Sequence, residues 1–101
     1  MKIRDAEIDW FIAQHFRGAE YKKIWEDYSP TSNWNEAGPF IEKYQIDIRY
    51  FDPKFNLDLD EHWMGGLMAK NASGISYYCT AFGSTPLIAS MRALSKSLGY
   101  K

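Results

Sequence analysis

Hydroxyl and amide side chains crowd one stretch of this chain. Ser29, Thr31, Ser32, Asn33 and Asn35 stand beside two flat rings, Tyr28 and Trp34. Hydrogen-bond donors and acceptors interleaved with aromatic faces are what a nucleotide or another planar ligand needs, because the rings stack and the polar groups fix orientation. The same residues could equally form a self-satisfied loop whose hydroxyls bond its own backbone while Trp34 plugs the core. A second stretch, Gly83-Ser84-Thr85, runs small residues into Pro86 with Arg92 two turns further on. Free N–H groups at the positive end of a helix and a nearby guanidinium can hold an anion such as phosphate. Simple capping by Thr85 explains the same residues without any ligand.

Catalytic readings find less to stand on. His15 falls on the apolar stripe of a first helix and His62 at a strand start, and neither has a nucleophile or carboxylate at a recognisable spacing. Cys79 is the single cysteine and lies in a β-rich run, which predicts a buried, inert thiol with no disulfide partner and no second thiolate for zinc. Asp58, Asp60 and Glu61 form an acidic segment that lacks the Gly-centred calcium-loop pattern and reads as a solvated loop. No Gly-rich phosphate loop is present. A protein that is not an enzyme, with no cofactor and no metal, is the expectation.

These residues need positioning by a small number of elements. Asp5 can cap a helix over residues 6–17, in which Ile8, Phe11, Ile12 and His15 recur at helical spacing, Trp10 flanks the stripe, and Asp9 and Gln14 turn to water. Residues 19–27 read as a strand or irregular segment. Pro30 and Pro39 punctuate the polar stretch, which has more turn chemistry than a plain connection requires. A short helix starting at Asn35 or Gly38 would then place Pro39 in its first turn, where the missing N–H costs nothing.

Residues 46–51 alternate apolar and polar as a half-buried strand does, and 62–69 and 75–82 form a second and third strand joined as a hairpin through Asn71-Ala72-Ser73-Gly74. The paired Gly65 and Gly66 signal a bulge or a close backbone approach. Thr85 and Pro86 open the last helix, with Leu87, Met91, Leu94 and Leu98 on one stripe and Gly99 beyond its end. The result is an α+β fold: a small antiparallel sheet of three to four strands with an N-terminal and a C-terminal helix packed on one face.

The 101 residues make one domain, 1–101, with an ordinary globular balance of 46% hydrophobic and 25% charged residues. A net charge of -1 offers no general attraction to a polyanion, so direct nucleic-acid binding is not expected. No apolar run is long enough to span a membrane, and the reading is a cytoplasmic protein. Aromatics reach 17%, more than such a core needs, so some rings belong at a pocket or interface. Tyr77 and Tyr78 point to opposite faces of their strand, and the one left without a core partner suggests a homodimer or other homo-oligomer.

Three pieces together carry a resemblance: Asp9-Trp10 in the first helix, the loop Tyr28-Ser29-Pro30-Thr31-Ser32-Asn33-Trp34 continuing to Ala37-Gly38-Pro39-Phe40-Ile41-Glu42, and the terminal run Gly83 to Arg92. The pattern resembles the NinX family of small proteins encoded by tailed bacteriophages and prophages, a family without an established activity. Asn33 stands where the pattern has an acidic residue, and Ala37 where it has glycine. Residues 56–73 carry no family signal. The resemblance implies an accessory protein acting in the cytoplasm of an infected bacterium.

The sequence therefore leads to a binder of a small anionic, nucleotide-like ligand. Tyr28 and Trp34 would stack, Ser32, Asn33 and Thr85 would hydrogen-bond, and Arg92 would balance charge. Sequestration of a nucleotide signal of host defence would be one use. The alternative is a protein–protein inhibitor of a host defence or nucleic-acid-processing complex, with Asp58–Glu61 imitating nucleic-acid charge.

Overall fold

The computed structural model describes residues 5–17, 28–51 and 61–100. The element order is α1 (Ala6–Arg17), α2 (Trp34–Tyr44), β1 (Asp47–Tyr50), β2 (Trp63–Lys70), β3 (Ser76–Gly83) and α3 (Pro86–Ser97). The expected strand or irregular segment at 19–27 lies outside the described residues, as do Asp58 and Asp60.

Each helix begins on a side-chain cap. Asp5 Oδ1 accepts from the Ile8 N–H at 3.3 Å, Asn33 accepts from Asn35 N–H, and Thr85 accepts from Ile88 N–H. Pro86 takes the first position of α3, as expected. Pro39 does not take a first-turn position. The cap at Asn33 starts α2 at Trp34, so Pro39 lies inside the helix, where it withholds the N–H that would bond the Asn35 carbonyl. Gln45 ends α2 in the left-handed conformation at φ 50°.

The described strands form one antiparallel sheet of three, in the order β1-β2-β3. Registers run without interruption through Gly65 and Gly66, so the glycine pair marks a close approach and not a bulge. A Cβ on Gly65 would lie 2.6 Å from the Ala89 carbonyl oxygen, and one on Gly83 would lie 2.6 Å from Ala89 N. Those two glycines let α3 rest directly on the sheet. Helices α1 and α2 pack against α3.

Apolar side chains from all three helices and from β2 and β3 meet in one core: Ile8, Ile12, Ala37, Leu67, Cys79, Met91 and Leu94 are buried there. Burying such side chains is worth about 1.5–3 kcal/mol each for the larger ones. Cys79 is buried as expected, and its burial pushes the thiol above its ordinary pKa against a smaller opposing influence of Lys96. No helix among the described residues is long and apolar enough to cross a membrane.

Candidate functional site

Asp9 is the centre of the polar architecture. It was expected to face water, yet it is completely buried. Its position on α1 follows Ile8 and precedes Ile12, which tilts it toward the loop that leads into α2. Asp9 Oδ2 accepts hydrogen bonds from Ser29 Oγ and Thr31 Oγ1, both at 2.9 Å, and Oδ1 accepts from the Thr31 N–H at 2.8 Å. A buried carboxylate is tolerable only when donors surround it, and the loop supplies them.

The loop is fastened at further points. Ser32 Oγ shares a hydrogen bond with Ser29 Oγ, and Glu36 Oε2 accepts from the Ser29 N–H. Thr31 Oγ1 also accepts from the Asp5 N–H at 2.9 Å. Asp5 in turn accepts from Arg92 Nε at 2.9 Å. Arg92 Nη1 donates to Glu61 and to the Phe82 carbonyl. Burial works against the guanidinium charge, but Asp5 and Glu61 outweigh it and hold Arg92 above its ordinary pKa. A continuous chain of contacts thus runs from Asp9 through Thr31 and Asp5 to Arg92, joining α1, the polar loop and α3.

Two cavities divide the residues singled out from sequence. One, of about 360 Å³, is lined by Phe16 of α1, by Tyr28, and by Asn35, Glu36, Pro39 and Phe40 of α2. The other, of about 320 Å³, is lined by Asp5, Ile8, Arg92, Lys96 and Tyr100. Tyr28, Ser32, Asn33 and Trp34 share the segment that borders the first cavity, and Trp34 opens α2 with 57% of its surface exposed. Arg92 borders the second. Thr85 sits at the start of α3, where its hydroxyl is engaged with Ile88 N–H.

The three pieces of the sequence pattern are therefore the three parties to one hydrogen-bonded clasp. A family model described as bacteriophage P22 NinX matches residues 2–96. The chain belongs to the NinX family. Comparison with curated proteins and with solved structures gives no match.

Family membership gives the two departures a setting. Asn33 fills the N-cap position with its amide oxygen, a role that an acidic residue would fill equally well. Ala37 is completely buried and places its methyl group in the hydrophobic core. Sequence reasoning missed Asp9, Glu36, Phe16 and Phe40 as members of the site. The signal for Glu36 was present, since an acid three residues after a capping side chain marks a helix start. Its carboxylate reaches past the cap to Ser29. His15, expected on the apolar stripe, is exposed, stacked on the Phe11 ring and edge-on to Phe16, while Ile8, Ile12 and Ala13 carry the buried face of α1.

Proposed function

We propose that this phage accessory protein acts by non-catalytic binding, and that it takes a small, planar, nucleotide-like ligand at the cavity between α1 and α2. The observation that carries the reading is the lining of that cavity: rings of Tyr28, Phe16 and Phe40 beside the polar ends of Asn35 and Glu36. Flat apolar walls with a few polar groups at one side suit a heterocyclic base. Trp34 stands exposed on the same segment, and Ser32 and Asn33, whose hydroxyl and amide oxygen are engaged within the loop, shape its backbone beside the sugar or phosphate portion. Thr85 and Arg92 contribute indirectly in this reading, by fixing α3 and Asp5. The hydroxyls of Ser29 and Thr31 are bound to Asp9, which suits building material better than a nucleophile. Removal of a host nucleotide signal by sequestration would follow from tight binding alone.

Calorimetric titration with a panel of mononucleotides and cyclic dinucleotides, with Trp34 fluorescence as a second readout, tests the reading. One member should bind, Tyr28→Ala and Trp34→Ala should each weaken it at least tenfold, the exposed Trp34 with the melting temperature nearly unchanged and Tyr28, which packs on the core, with some loss of stability, and Arg92→Ala should weaken it less. Equal affinity in the Tyr28 and Trp34 variants, or no binding across the panel, would overturn the proposal.

A second reading, inhibition of a host protein complex, draws on a different observation. Tyr50, Met68 and Ile75 are 56%, 63% and 63% exposed, apolar side chains that a protein partner could cover. Charge reversal at Asp58 and Asp60 separates the two, since it should abolish inhibition of a nucleic-acid-processing partner and leave nucleotide affinity unchanged.

A further inference from the structure

The hairpin fixes which backbone groups of β3 are already used. Asn71 N–H bonds the Ile75 carbonyl, and the register then pairs Lys70 with Ser76, Ala69 with Tyr77 and Met68 with Tyr78. Hydrogen-bonded and non-hydrogen-bonded pairs alternate along an antiparallel ladder. Tyr77, Cys79, Ala81 and Gly83 therefore direct their N–H and C=O groups at β2. Ser76, Tyr78, Thr80 and Phe82 direct theirs outward, along the free edge of the described sheet.

Half of that edge is guarded. Lys96 Nζ donates to the Thr80 carbonyl at 3.2 Å, and Arg92 Nη1 donates to the Phe82 carbonyl at 2.9 Å. Both cations reach over from α3, and cationic side chains at an edge are a common defence against strand pairing. Among the described residues no cation reaches Ser76 or Tyr78 in this way, and both are exposed, as are their neighbours Ile75 and Tyr77. The opposite edge, β1, has four residues and carries Asp47 and Arg49, which disfavour pairing there.

We propose that the open half of β3 pairs with the same segment of a second copy, antiparallel and about a two-fold axis at Tyr77. The guards select this register. With Tyr77 opposite its counterpart, Ser76 faces Tyr78 of the second copy on both sides of the axis, and these residues exchange four backbone hydrogen bonds without calling on Thr80 or Phe82. Centring the axis on Tyr78 would set Ser76 against Thr80, whose carbonyl is already taken. Residues 75–79 are uncharged, so self-pairing opposes no like charges. The Tyr77 rings meet across a non-hydrogen-bonded pair, where side chains approach most closely.

The surface available is modest. Tyr77 and Tyr78 are 40% and 45% exposed. Side chains of about 200 Å² each, with Ile75 and Met68 beside them, bring the total below the roughly 1,200 Å² of a standard interface. An interface of that size belongs to the weak, transient class, and the dimer is therefore concentration-dependent. It is independent of the ligand cavity between α1 and α2.

Analytical ultracentrifugation across the micromolar range tests the proposal. The wild-type chain should pass from monomer to dimer. Ser76→Pro removes one outward N–H at the first residue of the strand, a place where proline leaves the hairpin ladder intact, and should give a monomer with an unchanged melting curve. Tyr77→Lys puts two like charges on the axis and should do the same. Under mild oxidation Tyr77→Cys should form a cross-linked dimer, since the Cα separation of a non-hydrogen-bonded pair suits a disulfide, and wild-type protein with its buried Cys79 should not. A wild-type monomer at every concentration, a dimer that survives both Ser76→Pro and Tyr77→Lys, or cross-linking through Tyr78→Cys in place of Tyr77→Cys would overturn it.

Discussion

Replacing Asp9 by alanine removes the acceptor on which the clasp depends. Ser29 Oγ, Thr31 Oγ1 and Thr31 N–H all donate to this one carboxylate at 2.8–2.9 Å, and Asp9, Ser29 and Thr31 are all buried. Hydrogen bonds to a charged group contribute about 1.5–3 kcal/mol each, but the two hydroxyls can rotate and the loop can relax, so the gross sum is not lost. The buried Thr31 N–H cannot turn away. A net cost of about 3–5 kcal/mol follows, about 1–3 kcal/mol for stranding the buried Thr31 N–H and about 1 kcal/mol for each hydroxyl bond lost. For a domain of this size that lowers the melting temperature by about 12 °C or more.

Urea unfolding followed by tryptophan fluorescence measures it. Asp9→Asn keeps the volume and one acceptor and should cost roughly half as much. Thr31→Val keeps the shape, removes one donor to Asp9 and strands the Asp5 N–H, for about 1–3 kcal/mol. The double variant Asp9→Ala with Thr31→Val should cost less than the two added together by about 0.5–3 kcal/mol, because the hydroxyl has no carboxylate left to serve. An Asp9→Ala cost below about 1 kcal/mol, or strict additivity within about 0.5 kcal/mol, would refute the clasp.

Three further outcomes follow from the packing and the titrating groups. Gly65→Ala drives a Cβ to within 2.6 Å of the Ala89 carbonyl oxygen and 2.7 Å of Ser90 Cα, so α3 must move, and chemical unfolding should register a loss of about 1–3 kcal/mol. Gly66→Ala meets only the end of the Tyr78 ring, a side chain that can swing away, and should cost clearly less. Desolvation and then the hydrogen bond donated to Asp47 raise the Tyr78 pKa above its ordinary value. Its contribution to stability is therefore full below about pH 10 and lost as pH climbs through the folded value. Ultraviolet titration of Asp47→Asn should show one tyrosine moving back down. Cys79 should ignore thiol reagents in native buffer at neutral pH and react in step with urea unfolding; immediate stoichiometric reaction would contradict its burial.

The helices at the two ends were legible because their signals are local. Asp5 and Thr85 cap within three residues, Pro86 fits a first turn, and Ile8 with Ile12 and Leu87 with Met91 repeat at helical spacing. The first strand was legible from alternation, the third from its β-rich composition and the second from the hairpin turn Asn71–Gly74 that pairs it with the third, with Gly74 at φ 79°. The polar stretch of residues 28–35 stood out by its turn chemistry, and its family pattern was readable in the order of its residues.

What sequence could not supply was the partner of each polar group. An aspartate in the first turns of an amphipathic helix ordinarily faces water, and nothing near Asp9 in sequence says that Ser29 and Thr31, about twenty residues on, will enclose it. Arg92 looked like a free cation for a ligand, whereas Asp5, 87 residues away, accepts from its Nε. Pro39 looked like a helix start because the Asn33 cap lay six residues earlier, beyond the reach of the proline rule. The Gly65–Gly66 pair left a bulge and a close approach open, and the height of α3 above the sheet decided between them. Local propensity and periodicity act over a few residues and determine elements. Hydrogen-bond satisfaction of buried groups acts over whatever distance the fold closes, and so the identity of this site as a clasp belongs to the tertiary structure alone.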